Sequence, residues 1–180
     1  MTAVIGVKPG WRWTSGVLRI GETAVDGFTL GPVGTRRAND RMEPDAIYGY
    51  TERIGFHLDA IYDRAVEMGH GRPGVAVELP TGPQGGKGHT SVLRAFLITW
   101  TVAWFVIGRF DAVPIPADGN GRRHLPENGG TGKLGDYYPT ALIRRRPETW
   151  TSNETDRNER GRERAAYDVA GHLLTPAAAA

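Results

Sequence analysis

The apolar positions of this chain fall into short runs near its start and into helical stripes further on. Val4-Ile5-Gly6-Val7 is a largely β-branched run that ends in a charged residue, Lys8, before Pro9-Gly10. A second run, Ser15-Gly16-Val17-Leu18-Arg19-Ile20, follows the turn, and the pair predicts a β-hairpin. Thr23 to Leu30 predicts a third strand, and the Gly/Pro/Arg-rich stretch from Gly31 to Asp45 an exposed loop. Pro44 and Asp45 then open a helix. Ile47, Ile54, Leu58, Ile61, Ala65 and Met68 recur at helical spacing and predict its apolar face, and Gly69 to Gly74 end it.

Val75-Ala76-Val77-Glu78-Leu79-Pro80 is a short apolar run broken by one carboxylate, the pattern of a buried strand with Glu78 at its end. A glycine-rich loop, Thr81 to His89, leads to a second helix that Thr90 or Ser91 can cap and that runs to about Ile107. Its apolar residues cover most of its circumference, which predicts a core helix. Ala112 to Pro116 predicts a fifth strand, Asp118 to Gly135 is turn-rich, and Asp136 to Arg146 predicts a short helix. The last element is a helix over about Asn158 to Leu174. Together these give one α/β domain over residues 1–175, with a loose tail at 176–180.

Composition narrows the picture only a little. The chain has 180 residues, enough for one domain with a real core and short for two. It has no cysteine, which excludes disulfides and thiolate zinc sites and fits a reducing cytoplasm. No basic-then-apolar leader precedes Val4. The longest apolar stretch, Ala95 to Ile107, is shorter than a bilayer span, so no membrane partner is expected. A formal charge of +2 does not by itself point to nucleic acid, but Arg144, Arg145, Arg146, Arg157, Arg160, Arg162 and Arg164 crowd into the last quarter of the chain.

The order β-β-β-α-β-α-β-α is that of an RNase H-like fold, a five-stranded mixed sheet flanked by helices. Three short motifs carry a more specific likeness: Val4 to Gly10, Val75 to Leu79, and the helix segment Glu163 to Leu174 with Asp168 inside an apolar stripe. Taken together they resemble the RuvC-type Holliday junction resolvases, particularly the divergent phage-encoded branch. The resemblance covers nearly the whole chain in element order, but only these three motifs are specific. It implies a homodimeric, structure-selective endonuclease that cuts four-way DNA junctions in the host cytoplasm. It also implies Mg²⁺ held by four acids from the first strand, the fourth strand and the last helix. Residue by residue, Lys8 stands at the first acid position, Glu78 at the second and Asp168 at the last. The third position, three residues before Asp168, is Ala165. Glu163 is the nearest acid, and its helical angle points it off the Asp168 face and farther out. His172, four residues after Asp168, shares the Asp168 face and is a candidate ligand. The expected metal set is therefore Glu78, Asp168 and His172, with Lys8 and Glu163 as further members of the catalytic cluster.

Lys8 is the departure that matters. Two-metal phosphodiester hydrolysis uses two ions roughly 4 Å apart and a carboxylate bridging them. An ammonium at that position repels Mg²⁺ and pairs instead with Glu78 and Asp168. The chain then folds and binds DNA but cuts poorly. Two other readings stand beside a disabled enzyme: a natural pseudo-nuclease that binds branched DNA without cutting, and a hydrolase of the same fold acting on RNA-DNA hybrids.

The remaining candidates concern DNA contact. Trp11 and Trp13 flank Arg12 just after the turn and cannot both point inward from an extended segment, leaving one to stack on an unpaired base. The glycine-rich loop fails the phosphate-loop pattern, so Lys87 reads as a simple phosphate contact. Arg144, Arg145, Arg146, Arg160 and Arg164 read as sequence-independent phosphate contacts. His57, His70, His89 and His124 read as surface residues.

Overall fold

A computed structural model describes residues 2–21, 23–31, 43–80, 89–116, 151–152 and 159–174. The strands are β1 (Ala3–Lys8), β2 (Thr14–Ile20), β3 (Thr23–Leu30), β4 (Gly74–Leu79), β5 (Val113–Pro116) and β6 (Thr151–Ser152). The helices are α1 (Pro44–Glu67), α2 (His89–Phe110) and α3 (Glu159–Leu174).

The strands form one sheet in the order β5-β4-β1-β2-β3-β6. β2 runs antiparallel to both β1 and β3, whereas β4 is parallel to β1 and β5 parallel to β4. This α/β arrangement, a mixed sheet with the first strand at its centre and helices on its faces, is the RNase H-like fold. The sixth strand, which pairs with β3 over two residues, adds to the five expected and is too short to leave a periodic signal. The predicted helix over Asp136 to Arg146 lies outside the described residues.

Alternation along the strands splits the domain into two layers. Ile5, Val7, Leu18, Phe28, Leu30, Val75 and Val77 point to one face, where they meet Ile54, Leu58 and Ile61 of α1 and Val102, Ala103 and Val106 of α2 in the main core. The opposite face belongs to α3, which packs over β1 and β2 and reaches β3 and β4. Gly6 allows that approach: a Cβ there would stand 1.9 Å from the Ala166 carbonyl oxygen and 2.5 Å from the Ala170 nitrogen.

Both long helices differ from their predicted faces. In α1 the buried stripe starts at Tyr50, and Met68 at its C-cap is exposed. Tyr50 lies on that stripe, where its hydroxyl sits 3.2 Å from Gly10 O and 2.8 Å from Thr14 Oγ1, within hydrogen-bonding reach of the groups that close the β1–β2 turn. In α2 only one side is buried. Leu93, Leu97 and Trp104 are exposed, so it is a core helix along one face and not all round. The stretch Val92–Phe110 is long and apolar enough, by length and composition, to cross a membrane. That corrects the shorter span expected from Ala95 to Ile107, although Val102, Ala103 and Val106 are fully buried in the core.

Candidate functional site

The site grows from the register of four strands. Lys8 is the last residue of β1 and shares the α3-facing side with Gly6, two residues earlier. Ser15 of β2 is its cross-strand partner, and Thr29 of β3 is the partner of Ser15. On the other side of β1, Val7 is aligned with Val77, which sets Glu78 beside Lys8. Residues side by side in a sheet face the same way, so Glu78, Lys8, Ser15 and Thr29 form one polar row across the α3 side.

Each member is engaged. Lys8 Nζ donates to Glu78 Oε1 in an ion pair between a carboxylate that is almost fully buried and an ammonium that keeps 30% of its side chain exposed. The Ser15 and Thr29 hydroxyls lie 2.7 Å apart. Thr29 Oγ1 then donates to Glu163 Oε1 at 3.3 Å. A threonine hydroxyl has one proton, so with Thr29 donating to Glu163 the proton between the two hydroxyls comes from Ser15.

The phase of α3 decides which of its acids faces the row. Ala166 and Ala170 lie against Gly6, and Leu173 lies near Gly74, which pairs with Val4 at the start of β1. The helix therefore runs antiparallel to β1, with its N-terminal end over Lys8. Glu163 is within roughly 60° of Ala166 and 20° of Ala170 around the helix, on the sheet-facing stripe. Asp168 is about 200° from Ala166, on the far side. Both are buried.

The two acids of α3 therefore take different directions. Glu163 is the acid of α3 that turns toward the sheet, and Asp168 is the one that turns away. His172 is farther still: its neighbour Leu173 sits at the Gly74 end of β4, and Glu78 is about 13 Å along that strand. Glu78, Asp168 and His172 are not gathered into one ligand set. The small-residue spacing Ala166–Ala170 opposite Gly6 was the sequence signal for this phase. Ser15 and Thr29, missed as site residues, carried their signal in the strand alternation.

No family model matches this sequence, and no curated protein matches it. Two solved structures of Thermus thermophilus RuvC resemble it in fold. One, in complex with a Holliday junction substrate, has 13% identity and a TM-score of 0.46, covering 94% of this chain and 90% of that one. The other has 14% identity and a TM-score of 0.44, with 94% and 91% covered. Likenesses this distant add nothing to the fold assignment, which rests on the strand order.

The described residues do not fit a two-metal centre. Among the described residues, no three His, Asp or Glu side chains lie close enough together to hold a metal ion. Glu78 instead meets the Lys8 ammonium, which stands where the resemblance puts a carboxylate.

The aromatic segment lies in the β1–β2 connection, next in sequence to Lys8. Trp13 packs on Gly31 at the end of β3, and the Arg12 guanidinium lies 4.8 Å from the centre of the Trp11 ring. Both tryptophans are half-buried and Arg12 is exposed. Lys87, Arg144, Arg145 and Arg146 lie outside the described residues, as do the side chains of Arg160 and Arg164 on α3. A cleft of about 740 Å³ lined by Asp59, Arg72 and Arg109 opens at the Gly74 end of β4, away from the row.

Proposed function

We propose that this chain recognises branched DNA on a nuclease-type RNase H-like fold, as a homodimer, and that Lys8 suppresses phosphodiester cleavage. The observation that carries this reading is the Lys8–Glu78 ion pair at the ends of two adjacent parallel strands. The sequence resemblance to RuvC-type resolvases assigns those two positions to the first two metal-binding acids. Hydrolysis by two Mg²⁺ ions depends on a carboxylate that offsets their mutual repulsion. An ammonium adds to that repulsion, and it holds an oxygen of Glu78.

Binding is a separate matter from cutting. Trp11, Arg12 and Trp13 lie in the β1–β2 connection after Lys8 and offer stacking and phosphate contact to an opened strand. The basic residues Lys87, Arg144, Arg145, Arg146, Arg160 and Arg164 supply sequence-independent attraction that weakens as salt rises. Gel-shift titrations at fixed salt test this reading directly. The expected result is tighter binding to a four-way junction than to a linear duplex of equal length, by a particle with the mass of two chains. Equal affinity for both, or tighter binding to an RNA-DNA hybrid, rejects it.

A further inference from the structure

We infer that the outer side of α2, with the acidic edge of α1 beside it, is a docking surface for an amphipathic helix of another protein. That helix carries an apolar stripe bordered by lysine or arginine. α2 buries Ile98, Val102, Ala103 and Val106 in the core. On its opposite side Leu93, Leu97, Thr101, Trp104 and Gly108 are all exposed, at steps of four, four, three and four residues. This is the spacing of a helix–helix seam, and among the described residues nothing covers it. Leu93, Leu97 and Trp104 keep 49, 46 and 57% of their surface. Trp104 stacks on Trp100 with ring centres 5.8 Å apart, and Phe96 meets Trp100 edge-on, so aromatic rings back the seam. Thr101 donates its hydroxyl to the Leu97 carbonyl oxygen, which meets its polarity within the helix. An apolar patch of this kind, contiguous and rimmed by charge, marks an interaction site.

Charge selects the occupant. Glu52, Asp59 and Asp63 recur at seven- and four-residue steps and form one row along α1. Asp59 accepts from Arg109 at 2.7 Å, and the charge of Glu52 also bears on that arginine, so the row borders α2. Glu52 and Asp63 are exposed, and α2 itself contains no acid. A helix laid on the seam thus meets apolar side chains in front and carboxylates along one flank, which favours cations on that border. A second copy of this chain is the poorer match. Its Arg94 and Arg109 share the helix row of Phe105, which turns to its own α1 at Gly55. Two α2 helices paired antiparallel would also set both acidic rows on the same side, like charge against like. A homodimer then pairs through another surface.

The inference is independent of DNA recognition, and its test uses none. The probes are two labelled synthetic helices with the same leucine–alanine stripe, one bordered by lysine and the other by glutamate. Fluorescence anisotropy at fixed salt should show the lysine-bordered helix binding at least about tenfold more tightly. Glu52→Lys/Asp63→Lys, both exposed positions, should reverse that preference. Leu97→Glu and, separately, Trp104→Glu should abolish binding of either helix with the circular dichroism spectrum unchanged. Equal affinity for the two probes, or a preference that survives the charge reversal, overturns the inference. Sedimentation in which Leu97→Glu halves the mass of the particle also overturns it, because a second copy then covers the face. So does binding to phosphatidylcholine vesicles that Trp104→Glu removes, which would make the occupant a lipid surface.

Discussion

Ser15 and Thr29 face each other across β2 and β3 with hydroxyl oxygens 2.7 Å apart, and Thr29 passes a hydrogen bond on to Glu163. The pair sits in the interior, so its polarity has a purpose: it satisfies a carboxylate brought in from another element. Thr29→Val keeps the shape and removes the donor, leaving a charged group short of one hydrogen bond. The expected loss of stability is about 1.5–3 kcal/mol, the range for hydrogen bonds to charged groups. Ser15→Ala acts one step removed and should cost about 1 kcal/mol. Urea unfolding of the two variants and of Thr29→Val/Glu163→Gln checks this. The double variant should lose less than the sum of its single changes.

The approach of α3 to the sheet gives a second prediction. A Cβ at Gly6 would sit 1.9 Å from backbone oxygen at Ala166, which cannot swing aside as a side-chain tip can. Gly6→Ala therefore has to push α3 off β1, at a cost of more than about 3 kcal/mol. Gly49, inside α1 with open space around it, is the contrasting case. Gly49→Ala should stabilise the chain by roughly 0.5–1 kcal/mol through helix propensity. Chemical denaturation of the two variants should give shifts of opposite sign.

How much of the site was legible in the sequence depended on the type of element. Lys8 and Glu78 were legible because a charge closing a buried apolar run can only mark a strand end. Two such ends come together when their strands are parallel neighbours in matching register, as β1 and β4 are. The helix acid was not legible from spacing to Asp168 alone, because spacing fixes which residues share a face but not which face meets the sheet. That phase is set by close contact at Gly6, Ala166 and Ala170, and small residues read as packing give it only after the partner strand is known. Arg19 illustrates the same difficulty. It is buried in β2 with its guanidinium 4.0 Å from the centre of the Tyr167 ring, a polar residue on a face that its own strand could not identify. The exposed stripe of α2 was hidden by composition, since its outer residues are as apolar as its inner ones.

His57 was expected at the surface, and it is half-buried beside Phe28 and Phe56, at 5.7 and 5.3 Å between ring centres. Burial, and then the charge of Arg53, hold its pKa below the ordinary 6.5. Asp26, Arg64 and Glu67 line a cleft together with His57. On acidification the unfolded chain takes up this proton before the folded chain does. Stability is therefore flat in this group above pH 6.5 and falls as pH drops below it, until the folded ring also protonates. Unfolding midpoints between pH 7.5 and 5 should fall for the unaltered chain and fall less for His57→Gln. Parallel slopes for the two would show that other groups set the acid limit.

On the proposed reading, Lys8 stands in the place of a metal-bridging acid. The most direct measurement compares the unaltered chain with Lys8→Asp on a labelled four-way junction, with Mg²⁺ and separately with Mn²⁺. Lys8→Asp should bind the junction and nick it in a metal-dependent way, at least about a hundredfold faster than the unaltered chain, as expected where a metal ion supplies several kcal/mol of transition-state stabilisation. A folded Lys8→Asp that binds junctions yet leaves them as intact as the unaltered chain does, with either metal, would contradict the account.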